Sequence, residues 1–467
     1  MNFDSPSFLF FFLPVLLILE ALLRSTRAKN CLLCLAGLVF YAFGELWALG
    51  LLLASALTNW LLGLLALRHG RAAVLLAAVL NLGLLAACKY LGFFGQGLAL
   101  LGVGLSLPDI IAPAGVSFFT FKGISYVVDA ARGSAPPARS FGRALLYISF
   151  LPEVMSGPLS RYPDFEAQLS SRRRTAEDTA AGLRRFVLGL SKKLLFSGGA
   201  AAVADAAYSA GPALDARLAW LGAAAYCLQL YFDFSGYSDM AIGLGRALGF
   251  RCPENFHRPY AAVSIADFWR RWHISLSLWF RDYLYIPLGG NRRGRLRTAA
   301  NKFLVFALCG LWHGANLTFL LWGAWHGLLS ALESLGVLDV KRWRRCAAGR
   351  LLSRIYTLLA VLLGFAMFRA PSVGEGFALI SAMFTRWDFT VEGSLVLQGA
   401  LGGWAVFVLL LGALCCAPLP ALMDRLRGGK AGPALEAASY VLCVPLLALC
   451  FAAMASGGFA PFIYFQF

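Results

Sequence analysis

The chain has 467 residues, of which 59% are apolar, 14% aromatic and 14% charged, and its mean hydropathy is +0.70. Soluble domains average about 45–50% apolar and about 25% charged residues, so the composition excludes an ordinary soluble domain and points to a protein that crosses a bilayer many times. The net charge of +17 sits in short clusters at 24–29, 68–71, 172–174, 292–302, 341–354 and 425–430; this is the positive-inside pattern of cytoplasmic loops, and no nucleic-acid partner is expected.

A span needs roughly 20 apolar residues, and residues 6–23, 31–48, 49–67 and 73–94 provide four at the start. Asp4 and no basic segment precede the first, so it reads as an uncleaved span rather than a signal peptide. Basic turns after the first and third spans put the N-terminus outside. Cys31 and Cys34 form a C-x-x-C without a second ligand pair, and most of the eleven cysteines lie in apolar runs. Neither a disulfide framework nor a metal site is expected.

The middle of the chain is less regular. Residues 113–129 (PAGVSFFTFKGISYVVD) and 151–162 (LPEVMSGPLSRY) carry Pro, Gly, Ser and charges at spacings that break a lipid-facing helix. Such backbone survives at membrane depth only when buried in protein or lining a cavity, so re-entrant segments are expected here. In QLYFDFSGYSD (229–239), Asp233 and Asp239 lie in an apolar run. They read as ion-pair anchors, with the arginines that follow Asp267 as partners, against the weaker reading of a paired acid and base.

After Asp267, the run FWRRWHISLSLWFRDYLYIPLGGN reads as one amphipathic helix. Trp269, Trp272, Leu276, Trp279 and Tyr283 form one stripe, and Arg270, His273 and Ser277 fall on another face. The polar face is either solvated at the interface or lines a buried cavity beside a substrate path; the pattern leaves both open. In LWHGANLTFLLWGAWHG (311–327), His313 lies eleven residues past Lys302. At about 1.5 Å per residue, that is about 16 Å from the basic edge, near the bilayer midplane. A histidine there either makes an interhelical hydrogen bond or serves a reaction. His326 lies about 20 Å further along if the helix is continuous, so the two imidazoles are not expected to share a site, and His326 reads as interfacial or structural. His69 and His257 read as loop residues.

Residues 355–368, 397–419 and 436–456 complete the spans and leave the C-terminal tail outside. The expectation is one all-α polytopic membrane domain over 1–467, with N-terminal spans in 1–112, a core in 113–335, and C-terminal spans and an extracytoplasmic tail in 336–467. It has roughly ten to twelve transmembrane helices plus re-entrant and in-plane helices. No G-x-S-x-G, Walker A or H-E-x-x-H motif occurs in the sequence.

Three runs carry a family resemblance: NFHRPY (255–260), DFWRRWHISLSLWFRDYLYIPLGGNR (267–292) and GLWHGANLTFLLWG (310–323). Together with 113–129 and FLPEVMSGPLSRYPDF (150–165), they closely resemble membrane-bound O-acyltransferases of the bacterial alginate O-acetyltransferase type, in order over most of the chain. The resemblance implies helices around a central tunnel, His313 as the active-site histidine and His273 as the second histidine of the bacterial subgroup. It implies no bound cofactor; acetyl-CoA or a carrier-protein thioester is the acyl donor, entering from the cytoplasm. The acceptor is an extracytoplasmic polysaccharide, reached through an SGNH-type, AlgJ/AlgX-like acetyltransferase partner outside the bacterial inner membrane. Imidazole is the usual base for activating a hydroxyl, and Trp312, Asn316, Arg270, Ser277 and Asp282 are candidates for binding substrate or steadying an oxyanion. The tail PFIYFQF (461–467) resembles that of the small membrane partner in teichoic acid D-alanylation. Tyr464 is therefore a candidate acyl relay, against an aromatic tail packed at the interface. D-alanyl transfer to teichoic acid, a lipid acyltransferase, and a transporter or flippase are the competing readings.

Overall fold

The computed structural model describes residues 1–44, 46–100, 112–416, 418–429 and 431–456. The fold is all-α, with no strand among the described residues. Leu46–Phe93, Ala176–Tyr208, Ala347–Arg369 and Gly432–Ala455 are long and apolar enough to cross a membrane, and Val391–Ala400 and Gly403–Cys416 form a pair bent by 75°. The remaining apolar sequence lies in shorter or more polar helices. Contacts divide the chain into two compact units, Met1–Phe186 with Tyr237–Glu254, and Val187–Gly236 with Asn255–Phe467.

In the first unit, α1 (Leu46–Leu100) folds back on itself. His69 leaves helical geometry at φ −128° and ψ 54°, within the basic turn that the charge pattern places between two spans. The buried amides of Asn59 and Asn81, 22 residues apart, then exchange hydrogen bonds of 2.8 and 3.1 Å. Helix α2 (Val116–Arg132) comes from the stretch expected to be re-entrant and is buried from Val116 to Ala130. Gly115 precedes it with φ 79°, packed so closely against the Val154 backbone that a Cβ has no room.

Burial of α2 brings a charge with it. Lys122 Nζ lies 2.6 Å from Glu153 Oε2, with exposures of 1% and 0%. Ser160 donates to the same carboxylate, and the ammonium sits 4.4 Å above the Tyr147 ring. Asp239 pairs with Arg185 at 2.7 Å, and Arg185 also meets Glu254 at 2.6 Å.

The second unit contains α3 (Ile265–Trp269), α4 (Ile274–Phe280), α5 (Gly294–His313), α6 (Leu317–Leu335) and α7 (Ala347–Arg369). Here Asp233 pairs with Lys193 at 2.7 Å, both side chains nearly fully buried. The carboxylates Asp233 and Asp239 thus take cations that precede them in sequence, Lys193 and Arg185, where the pattern pointed to the arginines after Asp267. Helices α5 and α6 cross at glycines: a Cβ on Gly323 would fall 3.1 Å from Gly310 Cα, and one on Gly327 would fall 3.1 Å from Phe303 Cα. Such small-residue crossings let helix backbones approach closely in an apolar medium.

Candidate active site

The segment after Asp267 is not one helix. α3 starts at Ser264, whose hydroxyl accepts from the Asp267 backbone N–H at 3.0 Å, and the Glu333 carboxylate accepts from the N–H groups of Ile265 and Ala266 at 2.7 and 3.1 Å. It stops at Trp269, and His273 adopts the left-handed conformation at φ 44° and ψ 54° before α4 begins. A non-glycine residue in that region costs on the order of 1–3 kcal/mol. Fully buried Asn255 offsets this cost from both ends of its residue. Its carbonyl accepts from Ile274 N at 2.9 Å, while its Oδ1 lies 3.1 Å from His273 Nδ1 and accepts from Ser275 Oγ at 3.0 Å. The His273 ring, 2% exposed, stands edge-on to Phe234 with centroids 4.5 Å apart.

The break interrupts the expected stripe but leaves Arg270 and Ser277 on one cavity of about 260 Å³, whose wall also includes Trp269, Lys302, Phe306 and Cys309. Of the two readings of the polar face, the solvated one describes Arg270, whereas Ser277 is part of the cavity wall; His273 is not among the residues that line it. The Arg270 side chain is 73% exposed, which sets it at the rim. Asp282 lies in a π-turn beside the cavity residue Arg281, which it pairs with at 2.7 Å.

α5 ends at His313, and Gly314 continues in extended backbone. Asn316 restarts the chain as the cap of α6: its carbonyl oxygen accepts from Thr318 N at 3.0 Å, and its amide donates to Pro371 O at 3.1 Å. Asn316 thus spends its amide on a helix start. Because the chain folds back over the glycine crossing, Trp322 packs on both histidines, 5.2 Å from the His313 ring and 5.3 Å from the His326 ring. This corrects the expectation of two remote imidazoles, which assumed one continuous helix; their separation is at most the sum of those two contacts. His313 is 4% exposed and is also walled by Trp312 at 4.7 Å and Phe368 at 5.0 Å.

His326 is fully buried rather than interfacial, with the Trp269 ring 5.3 Å away. Among the described residues, neither of its ring nitrogens has a hydrogen-bond partner, and neither do the indole nitrogens of Trp269 and Trp322. Trp269 also lines the cavity and touches Trp322 at 5.5 Å, so two indoles connect the cavity wall to His313. The sequence reading did not single out Asn255, Trp322 or this role of Trp269. One signal was present: Gly314-Ala-Asn316 ahead of an apolar run is a helix stop followed by a cap, and it announces the fold-back. No group of three or more His, Cys, Asp or Glu among the described residues is arranged to hold a metal ion. Tyr464 lies outside the described residues.

Residues 139–335, which include all of these rings except Phe368, match the model of the MBOAT, membrane-bound O-acyltransferase family. Over the full length of both chains, the protein is 37% identical to the "Probable alginate O-acetylase AlgI" of Pseudomonas putida. The chain belongs to the membrane-bound O-acyltransferase family. Another relative is the "Peptidoglycan O-acetyltransferase" of Helicobacter pylori, 32% identical over 82% of this chain and 79% of that one. The "Teichoic acid D-alanyltransferase" of Bacillus subtilis is 29% identical over 55% of this chain and 67% of its own length. The protein is therefore an O-acyltransferase and a multi-pass membrane protein, and His313 with Trp312 and Trp322 lies in the segment that matches the family model.

Proposed function

We propose that this O-acyltransferase takes an acetyl group from a cytoplasmic thioester, acetyl-CoA or an acylated carrier protein, and delivers it across the bacterial inner membrane for O-acetylation of an extracytoplasmic polysaccharide. The observation that carries this reading is the line of side chains from the cavity rim to His313: Arg270 and Lys302 at the cavity, Trp269 in its wall, then Trp322, then the buried imidazole. The cations suit the phosphates of the donor, and the apolar wall of Phe280, Val305 and Phe306 suits its arm.

His313 takes the proton of the acceptor hydroxyl while the new C–O bond forms at the acyl carbon. The C–S bond then breaks, and the imidazolium returns its proton to the leaving thiolate. His273, tied to Asn255, is a positioning residue: it holds the bend that sets Arg270 and Ser277 on the same cavity. Trp312 walls the imidazole. The acceptor hydroxyl belongs to the polysaccharide or to an SGNH-type, AlgJ/AlgX-like partner outside, with Tyr464 as a relay on an extracytoplasmic C-terminus; the N-terminus lies on the same side.

The relatives named for O-acetylation cover most or all of the chain, whereas the D-alanyltransferase covers about half, which supports acetyl over D-alanyl. The test is acetyl incorporation from radiolabelled acetyl-CoA by purified protein in nanodiscs. His313→Ala is expected to lower it by at least about 100-fold with the elution profile of the folded protein retained. An unchanged rate overturns the assignment of His313, and labelling from a D-alanyl carrier but not from acetyl-CoA transfers the reading to the second donor.

A further inference from the structure

We propose that Trp269, Trp322 and His326 form the seat of the acyl carbonyl oxygen, one ring away from His313. The proposal rests on the reading of His313 as the acyl-transfer centre. The three rings make a near-equilateral cluster, with centroids 5.5 Å apart between the indoles and 5.3 Å from the imidazole to each indole. His326 is fully buried, and Trp322 is 2% exposed. All four nitrogens of the cluster are buried without a hydrogen-bond partner among the described residues.

Buried polar groups in native proteins are nearly always paired, so four unpartnered nitrogens on three rings in mutual contact require a reason. The chemistry of the cluster is lopsided. An indole N–H can only donate, and a neutral imidazole adds one further donor and one acceptor. What complements an excess of donors is an oxygen with free lone pairs and no proton of its own, which describes the carbonyl oxygen of a thioester or ester. A phosphate or carboxylate fits less well, because the cations Arg270 and Lys302 stand at the cavity wall and not in the triangle.

Connectivity places the seat on the acyl path. Trp269 belongs both to the triangle and to the cavity wall, and Trp322 both to the triangle and to the enclosure of His313. Helix α7 backs the imidazole at Gly364, where a Cβ would lie 2.7 Å from His326 Nε2, so a side chain at 364 would collide with the ring and Nδ1 is the nitrogen left toward the indoles. When the acceptor oxygen attacks, the π electrons of the carbonyl move onto its oxygen, and in this proposal the unpartnered N–H groups of the cluster meet that charge away from water. Collapse of that intermediate restores the carbonyl and expels the thiolate.

The experiment compares two analogues binding to purified protein in nanodiscs. One is the acetyl-CoA ketone in which CH2 replaces sulfur, and the other is S-ethyl-CoA, of equal length but without the oxygen. Wild-type protein is expected to hold the ketone at least about tenfold more tightly. Trp322→Phe keeps an aromatic ring and removes the N–H. It is expected to lower that preference to under about threefold and kcat by about 100-fold, while KM for acetyl-CoA stays within about threefold. Trp269→Phe gives the same comparison if Trp322→Phe does not fold. His313→Ala is expected to lose turnover yet keep the ketone preference, so failure of the transfer-centre reading shows in turnover and failure of the carbonyl seat shows in the analogues. Wild-type protein that holds both analogues equally, or neither, overturns the proposal, as does a folded indole variant that keeps the tenfold preference.

Discussion

In the first unit, Lys122 is buried with its charge met by Glu153 at 2.6 Å, by a hydroxyl on the same carboxylate, and by the face of Tyr147. In the second, His326 is equally buried but surrounded by rings, and its two nitrogens have no partner among the described residues. Both sites lie in helical segments that the sequence marks by unusual polar residues. They differ in whether the fold itself supplies the complement. A buried group that the fold satisfies holds the structure together, and removing its partner exposes the full desolvation cost. A buried group that the fold leaves over costs stability and, in the proposal above, draws its complement from what passes through.

The sharpest way to break this contrast is at the first site. Lys122→Met strands the Glu153 carboxylate, and the expected cost is about 3–5 kcal/mol, read as loss of monodisperse protein in detergent and a lowered unfolding midpoint. Lys122→Met combined with Glu153→Leu is expected to recover most of that loss. A single variant with wild-type stability would show that the pair is not a structural anchor.

An intermediate case is Asn255→Ala, which removes the acceptor for His273 and Ser275 while leaving the backbone bond to Ile274. The expected loss is about 1–3 kcal/mol by thermal unfolding. Acetyl transfer falls with it, because Arg270 and Ser277 flank the bend. The smallest effect on stability is expected from His326→Phe. Replacing an unpartnered imidazole by a ring of similar shape should leave the unfolding free energy within about 1 kcal/mol of wild type, or raise it, while transfer drops. A loss as large as that of Asn255→Ala would make His326 a structural group and erase the difference between the two sites.

These sites also separate what the residue pattern announces from what it conceals. The reversal of α1 at His69 is legible as a basic turn between two apolar runs, and the chain does fold back there. That Lys302 and His313 lie on one helix follows from the apolar run between them. The bend at His273 has no such signal, because a left-handed histidine is chosen by Asn255, eighteen residues away in sequence, and not by its own neighbours. The partners of Asp233 and Asp239 were hidden for the same reason, since ion pairing depends on which helices meet. The separation of His326 from His313 rests on one condition, that the helix is continuous between them. The Asn316 cap and the glycines at 310 and 323 undo it, and the same residues then bring Trp322 against both imidazoles.

The triplet Trp-His-Gly occurs at 312–314 and again at 325–327. In the first copy the glycine lets the chain leave a helix; in the second it lies under a helix crossing, with Phe303 against it. A relative aligned thirteen residues out of register would match the triplet perfectly and exchange a helix-end histidine for one enclosed by indoles. Its chemistry would then be assigned to the wrong helix, with no warning from the local identity score. The safeguard is the asparagine that follows only the first copy, since it marks where one helix stops and the next starts.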